Sequence, residues 1–211
     1  MKTNKKLLLL TSMVILFPML WGLMIWSQLP NQIPIHFNVA DQADNFQSKP
    51  LVVFGLPILL LLVHLFVIFM IRRDPKNRTM NEKMVKVNHW LTPIVSLSIS
   101  YLIYSKALGS TTNPSVFVSA LLGLIFVIMG NYMPKLKVNH TVGIRLPWTL
   151  QSEDNWHKTH RLAGKLWVLG GLILLLEAGI QFALSYVLVL VILTIVLIPV
   201  MYSYQLSRKN R

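Results

Sequence analysis

Cysteine is absent from the 211 residues, which excludes disulfides and thiolate-bound metal. Charge is scarce as well. Only 13% of the chain is charged, against about 25% in a soluble domain. The charge is also one-sided, with 20 Lys and Arg but seven acids, which argues against a pump built on an intramembrane proton relay. No Gly-rich phosphate loop, no paired carboxylates within an apolar run and no Ser/His triad spacing is present. What the chain has instead is apolar sequence, 54% of it, gathered into runs of about 20 residues, the length that crosses a bilayer as a helix. An all-α polytopic membrane protein is predicted.

Six runs are read as spans: Leu7 to Trp26, Leu51 to Ile71, His89 to about Leu108, Val116 to about Met133, Leu162 to about Ile180, and Phe182 to about Tyr202. The first follows Lys2, Lys5 and Lys6 as a signal peptide would. It is longer than a signal core and lacks a small-x-small cleavage site, so it is read as a retained helix, kinked at Pro18. The third is the weakest, because it carries Thr92, Ser96, Ser98, Ser100 and Tyr104. Those hydroxyls are tolerated in a span if they bond back to the backbone or across to a neighbouring helix. The fifth and sixth runs need a tight turn between Gly179 and Ser185.

An even number of spans puts both termini on one side, and the basic residues choose the cytoplasmic one. With the N-terminal side inside, only Lys49 and Lys106 of the 20 basic residues fall near the outer face. That is the positive-inside pattern, and basic inner segments would meet anionic lipid. Nucleic-acid binding would produce no such alternation, so the net +13 is not read that way. The expected organisation is an N-terminal membrane hairpin over 1–88 with an extracytoplasmic loop at 28–49. A four-helix region over 89–211 follows, with a cytoplasmic loop at 134–161.

The outer loop begins Leu29-Pro30 and should start extended, turning between Asn38 and Asp44. Ile33, Ile35, Phe37 and Phe46 suggest a folded cap at the interface. His36, Asp41 and Asp44 are a candidate cation site only if three ligands converge; otherwise they are solvated turn residues. In the inner loop Pro134 ends the fourth helix, Gly143 permits a bend, Pro147 removes a donor and Trp148 suits an interface. Ser152 is a candidate helix cap, with Glu153 and Asp154 in the first turn. Trp156, His160, Ala163 and Trp167 then share one face, and His157, Lys158 and Arg161 the other. The fifth helix is therefore expected to begin as an amphipathic segment on the inner surface and then turn into the bilayer. Glu153, His157 and His160 lack His-Glu-x-x-His spacing, so a packed lid or docking surface is expected in preference to a catalytic centre.

Two stretches carry a family resemblance. Leu29-Pro-x-x-Ile-Pro-x-His-Phe-Asn38, followed by Asp44 and Ser48-Lys49-Pro50, resembles the small membrane domain of unknown function that accompanies SdpI-type proteins. Gly130-Asn131-Tyr132-Met133-Pro134-Lys135, Asn139, Gly143-Ile-Arg-Leu-Pro-Trp-Thr-Leu150, Glu153, Trp156, Thr159-His-Arg161 and Ala163-Gly-Lys165 resemble the signature of the SdpI family itself. Leu146 departs mildly from that pattern, where threonine is expected. The resemblance implies a non-enzymatic membrane immunity protein without cofactor, giving protection against a membrane-active toxic peptide. It also implies a possible cytoplasmic regulator held at the membrane. A small transporter is the alternative, and a lipid-modifying enzyme a weaker one. The candidate functional surface comprises Asn131, Asn139, Gly143, Arg145, Pro147, Trp148, Glu153, Trp156, His160 and Arg161.

Within the spans, His64 is a candidate intramembrane polar site, expected to face protein and to bond a Ser or Tyr of the third helix. Glu177 is read as interfacial. Gly123 and Gly170-Gly171 permit close helix packing, within the chain or between copies, and the oligomeric state stays open.

Overall fold

The structure is a computed structural model and describes residues 5–79 and 82–209. Its elements are α1 (Lys5–Met24), a hairpin of β1 (Gln32–Phe37) and β2 (Ala43–Ser48), a π-helical turn Leu51–Gly55 running into α2 (Leu56–Arg73), α3 (Glu82–Ala107), α4 (Pro114–Tyr132), the short α5 (Pro147–Leu150), α6 (Glu153–Ile180) and α7 (Leu184–Lys209). Among the described residues five helical segments are long and apolar enough to cross a membrane: α1, Leu51–Arg73, Pro114–Lys135, α6 and α7. The protein is a multi-pass membrane protein. Helix α3 is long, at 26 residues, but too polar to join the five.

Two compact units form, one from 5–69 with 82–117 and the other from 70–79 with 118–209. Helix α3, grouped by sequence with the C-terminal helices, belongs with α1.

In the first unit the polarity of α3 is turned inward. Pro18, inside α1, has no N–H for the helical ladder. Two hydroxyls of α3 serve carbonyls beside it: Ser96 donates to Ile15 (3.0 Å) and Tyr104 to Pro18 (3.2 Å). Trp21 meets Tyr104 edge-on at 5.2 Å, and Gly22 leaves the room that Val53 and the Tyr104 hydroxyl occupy. Buried Leu29, Ile33, Val52 and Ile103 complete this core.

The loop between α1 and α2 is a hairpin, where the sequence suggests only an extended start and a turn. Asn38 Oδ1 accepts from the N–H groups of Ala40 and Gln42, closing the turn, and Asp41 takes a left-handed φ of 58°. Register shifts on either side of His36 bulge the pair. Asp41 then reaches 74 residues along the chain: its carboxylate accepts from the Ser115 N–H (2.8 Å) and hydroxyl (2.5 Å). A carboxylate on the first turn of α4 satisfies an orphan donor and opposes the helix dipole.

In the second unit α4 and α6 meet through glycine. A Cβ on Gly123 would lie 2.8 Å from the Gly171 carbonyl, and one on Gly130 2.8 Å from that of Gly164. Gly170 turns instead to Val191 and Ile195 of α7. These glycines have their partners inside the chain. Helix α6 runs unbroken for 28 residues, so its polar first turns and its apolar remainder form one continuous helix. Its C-cap Gln181 is left-handed. Glu177 is buried, accepting from the Ala183 N–H, and so holds the tight turn into α7.

Candidate functional site

The loop between α4 and α6 is built from side chains that satisfy backbone. Pro134 sits in a 3-10 turn, Met133–Lys135, that ends α4. The buried Leu136 carbonyl that follows accepts from Trp156 Nε1 at 2.8 Å. Asn139 is 2% exposed. Its Oδ1 accepts from the N–H groups of Thr141 (2.9 Å) and Val142 (2.6 Å), and its Nδ2 donates to Lys137 O (2.9 Å). One amide therefore fixes the chain from Lys137 to Val142, as Asn does in Asx turns.

Two residues that sequence reasoning missed clamp this loop from the segment after α2. Asp74 Oδ2 accepts from the His140 N–H at 2.6 Å, while its Oδ1 holds Lys76 N at 3.0 Å. Asn77 Nδ2 donates to Thr141 Oγ1 at 2.5 Å and to Ile71 O at 3.1 Å. Both are buried. The available signal was a single carboxylate among Arg72, Arg73, Lys76 and Arg78, placed before Pro75 where a helix must end.

The loop then meets α6. Gly143 has φ 110°, a conformation glycine adopts without strain, and a Cβ there would strike His160 Nε2. Without one, the Ile144 N–H donates to His160 Nε2 at 3.0 Å. A backbone N–H only donates, so Nε2 carries no proton. The proton is on Nδ1, which donates to Trp156 O at 2.8 Å. The imidazole is thus neutral and in one tautomer, stacked on Trp156 with centroids 4.0 Å apart; both side chains are fully buried.

Next, Thr149 Oγ1 accepts from the Leu146 N–H at 2.9 Å and donates to Ile144 O at 2.8 Å. Pro147 occupies the first turn of α5, where its missing N–H costs nothing. Trp148 donates through Nε1 to Ser203 Oγ at 3.0 Å and meets Tyr204 edge-on at 5.4 Å, tying the loop to α7. Asn155, also missed, donates to Ser203 O at 2.9 Å and accepts from Thr159 at 2.9 Å. Ser152 caps α6 as expected, accepting from Asn155 N at 3.2 Å.

The predicted surface therefore divides. Asn139, Gly143, Trp148, Trp156 and His160 belong to one packed assembly. Arg145 is exposed and donates through Nη1 to His140 O at 2.6 Å. Glu153 and Arg161 are exposed with His157 on the outward side of α6, Pro147 is exposed on α5, and Asn131 is exposed on the last turn of α4. Glu153, His157 and His160 do not converge, since His160 is buried and committed to Ile144. Among the described residues no group of three or more His, Asp or Glu is placed to hold a metal ion. In the hairpin His36 pairs with Asp44 at 2.5 Å while Asp41 is turned to Ser115, so the three candidate cation ligands separate.

Residues 135–203, the span that holds nearly all of this assembly, match the SdpI/YfhL protein family, and residues 13–61 match a domain of unknown function, DUF1648. The chain is also 28% identical over 196 residues to "Immunity protein SdpI" of Bacillus subtilis (strain 168), covering 92% of this chain and 91% of that protein. The chain is therefore similar to SdpI-type membrane proteins along nearly its whole length. No solved structure matches it. The DUF1648 match contains most of α1, the hairpin and the entry to α2.

His64, the intramembrane candidate, is fully buried. Its Nε2 lies 3.1 Å from Thr11 Oγ1 on α1, and not from a Ser or Tyr of α3 as expected. Helix α3 contributes His89, edge-on at 6.2 Å. Thr11 also bonds Leu7 O at 2.9 Å, so the polar contact links α1 and α2 while leaving the backbone of α1 satisfied.

Proposed function

We propose that the protein is a non-enzymatic immunity protein of the bacterial cell membrane, protecting its host against a membrane-active peptide. The likeness to Immunity protein SdpI, which extends over nine-tenths of both chains, carries this reading. The inner loop is proposed as its working surface: an ordered shell backed by Asn139, Trp156 and His160, with Arg145, Glu153 and Arg161 facing outward. A cytoplasmic regulator is proposed to dock on that outward side. Deleting the gene in its host and challenging the mutant with secreted peptides of neighbouring cells should reveal sensitivity that the wild-type gene reverses. Trp148→Ala, which removes the bond to Ser203, should lower protection while the protein stays inserted. Arg145→Lys keeps the charge but loses the directed fork and should act more weakly in the same direction. Unchanged protection in both would reduce the loop to a topological connector.

We further propose six spans with both ends cytoplasmic, α3 being the sixth. Its 26 residues reach about 39 Å, and Ser96, Ser100 and His89 are buried in the protein, away from lipid. The two helices joined by the hairpin bring only Lys49 to the outer side, while Arg72, Arg73 and Lys76 follow α2. Lys2 and Arg211, at the ends, lie outside the described residues. With no native cysteine, single-cysteine probes are clean. Gln42→Cys should react with an impermeant maleimide from outside, and Lys76→Cys and Lys137→Cys only after permeabilisation. All three sites are exposed, so outside labelling at 76 rules out the proposed orientation.

A further inference from the structure

An apolar groove of about 540 Å³ opens between the hairpin and the starts and ends of the helices behind it. Ile35 and Gln47 form the hairpin side; Leu51, Gly55, Leu59 and Ile103 form the helical side. Three observations bear on what it takes. First, the sheet has only two strands. In β1 Ile33 and Pro34 are buried, whereas in β2 Asp44, Asn45 and Phe46 are exposed. Among the described residues β2 is paired with β1 alone, so its other edge has no strand beside it, and such an edge is a template for another extended chain. Second, a bulge at Ile35 breaks the strict alternation of β1, and the Ile35 side chain lines the groove. Third, the charge here is the reverse of the chain as a whole. Lys49 is turned inward, its ammonium 3.0 Å from Trp26 O and 5.0 Å from the centre of that ring. Asp41 is held by Ser115. The exposed charge left on the hairpin is Asp44, 42% exposed beside His36, in a protein of net charge +13.

We propose that this groove and the β2 edge together receive one extended, cationic peptide segment, added as a strand along β2 with alternate apolar side chains seated in the groove and its basic residues facing Asp44. The inference rests on the immunity reading and names how a membrane-active peptide is held. Backbone bonds to the strand edge give affinity without strict sequence demand, and the groove selects the period-two pattern. A helical ligand of the same composition presents its apolar residues at the wrong spacing.

The test uses the full chain in phosphatidylcholine nanodiscs and two synthetic peptides of about ten residues with equal Leu and Lys content. One alternates strictly; the other follows a helical period. The alternating peptide should bind and the helical isomer should bind at least about tenfold more weakly. Leu59→Trp fills the groove at a residue already 57% exposed, and should weaken the alternating peptide about tenfold, the effect of one lost buried side chain. Asp44→Lys should weaken it several-fold at low salt, with the difference vanishing at about 1 M salt. Equal binding of the two isomers overturns the proposal, as does indifference to Leu59→Trp. So does a finding that the wild type is a dimer whose dissociation accompanies peptide binding, because the edge would then be occupied by a second copy. In the host, Leu59→Trp with intact protection removes this site and leaves the immunity reading standing. A wild-type gene that gives no protection removes the immunity reading, whatever the nanodisc result.

Discussion

Gly164→Val should destabilise the protein by about 3 kcal/mol, the upper part of the range for overpacking a well-filled interior. A Cβ at 164 would sit 2.7 Å from the Gly130 carbonyl oxygen and 2.8 Å from two ring carbons of Pro134. Favourable carbon contacts lie at about 3.5–4.0 Å, and neither a backbone carbonyl nor a proline ring yields as a flexible side-chain end does. Seven residues on, Gly171 repeats the arrangement, with Gly123 O at 2.6 Å and Val127 N at 2.8 Å from its Cβ position. Two α-helical turns separate the contacts on each helix, so widening the gap at one loosens the other, and Gly164→Val with Gly171→Val should cost less than the sum of the single changes. In lipid, where burying apolar surface between helices gains little, the close approach of backbones is itself the source of affinity. Gly179→Ala is the control. It lies on the same helix with nothing within 4 Å of its Cβ position, and should be neutral or slightly stabilising because alanine suits a helix better. Reversible unfolding in bicelles compares these variants with the wild type. Gly164→Val within about 0.5 kcal/mol of wild type, the ordinary scatter of surface changes, would show that the two helices do not meet through glycine.

The seam shows what could and could not be read from the chain. That Gly123 and Gly171 permit close packing was legible; which glycine faces which was not, since pairing across 48 residues is a tertiary fact. Helix cores were legible for the same reason they exist, as apolar runs matched to a bilayer. Their ends were not. Helix α3 begins at Glu82 and α6 at Glu153, because the first turns are polar, and hydropathy sees composition but not hydrogen bonding. The hairpin escaped because β2 reads Ala-Asp-Asn-Phe-Gln-Ser, a sequence with little strand propensity. It is held by Asn38 closing the turn, by Asp41 on Ser115 and by Ile33 in the core. The face of α6 that carries Trp156 and His160 was legible from three- and four-residue steps, and its opposite face is exposed as those steps require. Asp74 and Asn77 lie in a basic segment where nothing local marks them out. Their role appears only when Asn139 to Thr141 lie against them. His64 was expected to face protein from the cost of exposing imidazole to lipid, but no local rule points to Thr11, 53 residues away.

His160→Leu should release the loop it holds, with amide exchange at Ile144 rising about tenfold or more and stability falling by about 1–3 kcal/mol, the range for stranding a buried donor. The motive is the pairing of one ring with two backbone groups: Nε2 accepts from Ile144 N–H and Nδ1 donates to Trp156 O. Leucine fills much of the volume against Trp156 but accepts nothing. Glutamine is the discriminating variant, because its side-chain oxygen lies near the position of Nε2 and can take the Ile144 N–H; His160→Gln should recover part of the protection from exchange. Gly143→Ala attacks the same contact from the other side. It forces a side chain onto φ 110° and drives a Cβ against Nε2, and so should match His160→Leu at Ile144 while leaving the Asp154–Lys158 pair on the outer face of α6 intact. Acid gives an independent reading. Protonating Nε2 would set two donors against each other, so exchange at Ile144, corrected for its intrinsic rate, should rise on acidification in the wild type and much less in His160→Gln. If His160→Leu leaves Ile144 as protected as in the wild type, then Asn139, Asp74 and Thr149 hold the loop without the histidine, and the Ile144 bond is incidental.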